Sequence, residues 1–121
     1  MVRFASAALL LSLPALSLAA TPALAAADGA QVFATQCKMC HQGASNALAP
    51  SLAGVAGAKV AARDDFAYSP ALKAKGGTWT DANLDAFLKS PTTFAPGTKM
   101  FLGPQSDENR AAVVSYLHTL K

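Results

Sequence analysis

Apolar positions along the chain form one near-continuous run followed by three short stripes at helical spacing. The run, Phe4 to Ala20, is almost wholly apolar around Pro14, with Arg3 before it and Ala23-Leu24-Ala25 after it. A basic start, an apolar stretch and a small-x-small site make residues 1–25 a secretory signal, with cleavage expected after Ala25. The run is broken by Pro14 and falls short of the ~20 residues a bilayer span needs, so no stable membrane insertion is expected. The working domain is then 26–121, a single unit without internal repeats.

The later stripes predict helices. Asp28 is a good N-cap for a first helix carrying Val32, Phe33 and Cys37 on overlapping faces. Ser69-Pro70 places a cap before a proline at the first helical position, and Gly76-Gly77 stops that helix. Thr80 caps another, with Leu84, Phe87 and Leu88 at i, i+3 and i+4; Pro91 is expected to end it and 92–105 to be loop. A last helix starts at Ser106, with Asp107 and Glu108 at the positive end of its dipole and Val113, Tyr116, Leu117 and Leu120 as its apolar face. Alternation of the strand type never runs beyond a few residues. The fold class is therefore all-α. Between the first two helices, 42–59 holds three glycines and Pro50, a wrapping loop too long for a compact domain unless something fills it.

Composition narrows the function. Removing Arg3 with the signal leaves nine basic against seven acidic residues, a formal +2. The basic residues are scattered rather than stacked in a stripe, which excludes a nucleic-acid surface. A domain of about 96 residues is small for a self-supporting core and often needs a bound group. Its two cysteines lie three apart, too close for a disulfide to stabilise much of the fold.

Those cysteines open the segment Cys37-Lys38-Met39-Cys40-His41, the spacing that attaches a haem covalently. Positions i and i+3 of a helical turn share a face, so both sulfurs can reach the two vinyl groups on one porphyrin edge. His41 then stands under the iron as proximal ligand. Two propionates would cancel the remaining net charge.

A second axial ligand is found by elimination. Met1 leaves with the signal, and Met39 is tied between the thioether positions. His118 lies near the end of the last helix, in a surface or helix-end position. Met100, 59 residues after His41 in the loop Pro96-Gly97-Thr98-Lys99-Met100, can approach from the opposite side of the macrocycle.

Together these segments resemble class I cytochrome c, the small soluble monohaem electron carriers, from Asp28 to Leu120. Pro96-Gly97-Thr98-Lys99-Met100 is similar to that family's distal-ligand loop, and Leu48-Ala49-Pro50-Ser51-Leu52-Ala53-Gly54-Val55 to its loop on the histidine side. The resemblance implies one haem c bound through Cys37 and Cys40, iron ligation by His41 and Met100, and a Pro50 carbonyl that orients the His41 ring. It further implies that Trp79 and Tyr68 donate hydrogen bonds to a propionate and that Thr98 belongs to the haem-binding set. It places Gly29 and Phe33 against Val113 and Tyr116 in a crossing of the first and last helices. Two positions depart from the family: Phe87 stands where mitochondrial-type members often carry a tyrosine hydroxyl aimed at the methionine sulfur, and Leu72 replaces a polar amide.

The function so implied is a periplasmic, monomeric electron carrier rather than an enzyme, meeting redox proteins transiently at the haem edge near Cys37 and Cys40. Thr92 and Thr93 stand where the family often has lysines, so Lys99, with Lys38 or Lys89, gives docking only a modest electrostatic component. The alternative is a haem enzyme or sensor in which a small ligand such as peroxide or nitric oxide displaces Met100; His118 is then the only uncommitted histidine. A thiol redox pair would need a βαβ scaffold, and zinc would need a fourth ligand; the pattern supplies neither.

Overall fold

The computed structural model describes residues 27–121, and the expected signal segment 1–25 lies outside them. Five helices occur among these residues: α1 Gly29–Gln36, α2 Pro70–Lys75, α3 Asp81–Lys89, α4 Pro91–Phe94 and α5 Asp107–Leu117. The only β pairing among them is an isolated antiparallel bridge between Lys59 and Thr78.

Capping chemistry sets four of the five starts. Asp28 accepts from the Ala30 amide, Ser69 from Leu72, Thr80 from Asn83 and Ser106 from Asn109, at 3.0–3.2 Å. Each bond satisfies one of the amides that a helix start leaves unpaired. Gly76 ends α2 at φ +65°, a conformation that costs glycine nothing. The exception is α4. Pro91, expected to open a loop, instead occupies the first position of a new turn, because its fixed φ suits a helix start as well as it disrupts a helix interior.

Helices this short are marginal alone in water, so packing decides their stability. Leu84, Leu88, Val113 and Leu117 are all buried. Each contributes about 2 kcal/mol by leaving water, against about 1 kcal/mol for a cap. α1 crosses α5, with the Phe33 and Tyr116 rings 5.1 Å apart and Gly29 directly on the Ala112 backbone. α3 packs against both α4 and α5. The Gly103 backbone similarly lies on the Leu88 carbonyl, where a Cβ would collide.

A charged group is buried in this frame. The Arg110 side chain on α5 is 3% exposed and bonds the carboxylates of Asp85 and Asp107 and the carbonyls of Pro104 and Gln105. Those partners satisfy the guanidinium and lock the chain leading into α5 onto α3. His118, the C-cap of α5, donates through Nε2 to the carboxylate of Asp81 at the start of α3, at 2.7 Å. It thus occupies the helix-end position its sequence suggested.

Candidate functional site

α1 passes directly into the motif. The Cys37 amide bonds the Phe33 carbonyl, and the Cys40 and His41 amides both return to the Cys37 carbonyl, at 3.1 and 3.0 Å. Residues 37–40 are therefore one hydrogen-bonded turn, and its geometry sets two cysteines three apart on a common side. Both thiols are free. Burial pushes the Cys37 thiol above its ordinary value, whereas Cys40 is exposed.

His41 is half-buried, and its Nδ1 lies 3.0 Å from the Pro50 carbonyl oxygen. Since a carbonyl only accepts, Nδ1 carries the proton and Nε2 keeps its lone pair. Burial lowers the pKa of the ring, with the Pro50 bond acting in the opposite sense, and the balance favours the neutral imidazole.

Asn46, which sequence patterning did not single out, shapes the loop between His41 and Pro50. Its Oδ1 accepts from the amides of Leu48 and Ala49, and its Nδ2 donates to the Cys40 carbonyl at 3.1 Å. This side chain ties the attachment turn to the segment that presents the Pro50 carbonyl. An asparagine whose carboxamide folds onto the following amides is a local signal that could have been read at Asn46-Ala47-Leu48.

A second polar cluster joins two loop segments. Ser45 bonds both the Ser51 amide and Asp65, and Arg63 grips Asp65 with two bonds of 2.9 and 2.8 Å. The Arg63 guanidinium, followed by the Ser45 hydroxyl, holds the Asp65 carboxyl at about 2.

The remaining candidates come from later segments. Trp79 is 7% exposed and stacks on Phe94 at 5.7 Å, with Phe87 at 5.1 Å from it and 5.5 Å from Phe94. Its backbone is fixed by paired bonds, the Trp79 amide to the Ala58 carbonyl and the Gly57 amide to the Trp79 carbonyl. Tyr68 is half-buried with Phe66 edge-on at 5.0 Å; burial pushes its phenol up, so it stays a donor. Thr98 and Met100 lie beyond a turn in which the Thr98 amide bonds the Ala95 carbonyl and Gly97 takes φ +85°. Met100 is half-buried against the core.

These residues fit a covalently bound haem. A helical turn offers two free thiols on one side, and the adjacent neutral imidazole has Nε2 available. Phe33, Leu52, Val55, Tyr68, Phe94 and Met100 pack on the core yet stay partly exposed, so apolar surface remains for a bound group to cover.

Comparison with known proteins agrees. Residues 26–121 match the family model "Cytochrome c". The chain is 44% identical over 98 residues to the cytochrome c of Tetrahymena pyriformis, covering 78% of this chain and 88% of that one. It is 43% identical over 95 residues to the cytochrome c2 of Rhodomicrobium vannielii, covering 75% of each. Its fold is similar to the solved structure of cytochrome cH from Methylobacterium extorquens, with a TM-score of 0.70, 42% identity, and coverage of 78% of this chain and 97% of that one. The attachment turn, the neutral imidazole beside it and this similarity across the described domain lead to one assignment: the chain belongs to the class I cytochrome c family of electron carriers and carries one covalently attached haem c.

Proposed function

We propose that this chain is an exported, periplasmic and monomeric carrier of single electrons, in which Cys37 and Cys40 form the thioether links and His41 and Met100 ligate the iron. Held by these four residues, the haem would supply one-electron iron chemistry. The observation that carries this reading is the bond from His41 Nδ1 to the Pro50 carbonyl. It fixes the tautomer, aims Nε2 and makes the ring a better ligand.

Each further residue has a part that its setting supports. The Met100 thioether is a soft, uncharged donor that favours the ferrous state. Trp79 and the protonated Tyr68 phenol serve as donors to a propionate, and Thr98 holds the turn that leads into Met100. Phe87 and Phe94, packed on Trp79, keep water from this side of the site. Met39, between the two cysteines, is 80% exposed and Cys40 is exposed, so the attachment edge is open to a partner through a small, transient contact. The Lys99 ammonium, 5.2 Å from the centre of the Phe66 ring, joins Lys38 or Lys89 in giving docking a modest electrostatic component.

A ligand-activating enzyme needs a distal acid or base. His118 is bonded to Asp81 on the surface and is occupied in joining α5 to α3, which favours the carrier over that alternative. The test is exposure of the reduced holoprotein to carbon monoxide at neutral pH. An unchanged absorption spectrum is expected, and a carbon monoxide adduct would instead support displacement of Met100.

A further inference from the structure

The Pro50–Ser51 peptide group is bonded at both ends. Its carbonyl oxygen accepts from His41 Nδ1 at 3.0 Å, and its N–H, on Ser51, donates to Ser45 Oγ at 2.8 Å. Ser45 Oγ in turn lies 2.9 Å from Asp65 Oδ1. Donor chemistry fixes every direction. An amide N–H can only donate, so the serine oxygen accepts there; an ionised carboxylate can only accept, so the serine proton points to Asp65. The result is a head-to-tail chain from imidazole N–H through carbonyl, amide N–H and hydroxyl to a carboxylate.

Bonds aligned in this way polarise one another. The carboxylate draws the Ser45 proton and makes its oxygen a stronger acceptor. That oxygen draws the Ser51 N–H, and amide resonance passes the charge to the Pro50 oxygen. The carbonyl then pulls harder on the His41 proton, and a ring with a more withdrawn Nδ1–H is a more basic ligand at Nε2. A more basic ligand favours ferric iron.

We propose that Asp65 is a positioning residue that tunes the haem potential downward through Ser45 and the Pro50–Ser51 peptide group. The proposal rests on His41 being the proximal ligand. Arg63, bonded to both Asp65 oxygens, orients the carboxylate and draws off part of its charge, which sets how strongly the chain acts. Ser45, Ser51, Arg63 and Asp65 lie on two different loop segments, so the chain also links the His41 loop to the segment before α2.

The test compares five holoproteins: the parent, Asp65→Asn, Ser45→Ala, the double variant of these two, and Ser45→Thr. Midpoint potentials are measured by redox titration, and the His41 ring is followed by proton and nitrogen NMR of the ferrous state. Asp65→Asn and Ser45→Ala are each expected to raise the potential and to move the Nδ1–H resonance upfield, as its hydrogen bond weakens. Asp65→Asn should have a much smaller effect in the Ser45→Ala background, because the chain is already cut. Ser45→Thr, which keeps the hydroxyl, should restore the parent values and controls for loss of fold.

Equal effects of Asp65→Asn in both backgrounds would reduce its influence to charge acting through space and overturn the proposal. An Nδ1–H resonance unmoved in Asp65→Asn, Ser45→Ala and their double variant would do the same. The spectrum separates this from failure of the ligand assignment: a His41 ring without porphyrin ring-current shifts removes the assignment itself, whereas a shifted ring that ignores the variants removes only the chain.

Discussion

Gly29 of α1 rests on the carbonyl of Ala112 in α5 so closely that a Cβ built on it would collide with that oxygen. The obstacle is backbone, fixed within a helix, and cannot swing aside as a side chain could. This contact sets the crossing of α1 and α5, and since α1 runs straight into the attachment turn, it also positions Cys37.

Gly29→Ala should therefore force the helices apart and destabilise the holoprotein by about 2 kcal/mol, the usual cost of overpacking. Equilibrium denaturation measures this. A change within about 0.5 kcal/mol, as for an ordinary surface substitution, would contradict the proposed role of the contact.

The four N-caps were legible because capping is local: Asp28, Ser69, Thr80 and Ser106 each need only an amide two or three residues ahead. The attachment motif was legible for the same reason. α4 was not, since Pro91 is compatible with both an end and a beginning, and only the packing of Phe94 on Trp79 and Phe87 selects the second. Arg110 could not be recognised as buried, because an arginine on a helix is ordinarily solvated and its partners Asp85, Pro104 and Gln105 are brought together by the fold. The Ser45–Asp65 pair spans two loops, and loop-to-loop contacts leave no period in a sequence.

Asn46→Ala should loosen the loop that presents Pro50. It removes three hydrogen bonds on a partly solvated side chain, a loss of about 1–2 kcal/mol. Hydrogen exchange at the Leu48 and Ala49 amides should quicken, while α5 amides keep their protection relative to global stability. Unaltered exchange at both positions would rule out this role.

Asp65 gives the fold a defined acid sensitivity. Its carboxyl is lowered from 3.8 to about 2, first by Arg63 and then by Ser45. Such a depressed group stabilises fully above its unfolded value, and the contribution is lost as pH falls through the folded one. Asp65→Asn should thus lower Tm at pH 6, and the difference from the parent should shrink on acidification below about pH 4. A gap that stays constant down to pH 2.5 would contradict the assigned ion pair.

Phe87 packs on Trp79 and Phe94 and has no hydroxyl to offer the methionine sulfur. With Met100 as the proposed iron ligand, Phe87→Tyr would put a hydroxyl where mitochondrial-type members of the family often carry one; such a donor draws electron density from the sulfur and favours ferrous iron. The midpoint potential of the variant should be higher than that of the parent. An equal or lower value counts against the sulfur-donor account.

In the proposed carrier His41 and Met100 together close the iron's coordination. The most direct measurement is the ferric absorption spectrum of the exported holoprotein, read at the weak sulfur-to-iron charge-transfer band, for the parent and Met100→Ala. The band is predicted in the parent and absent from the variant; a parent without it, or a variant that retains it, would contradict the account.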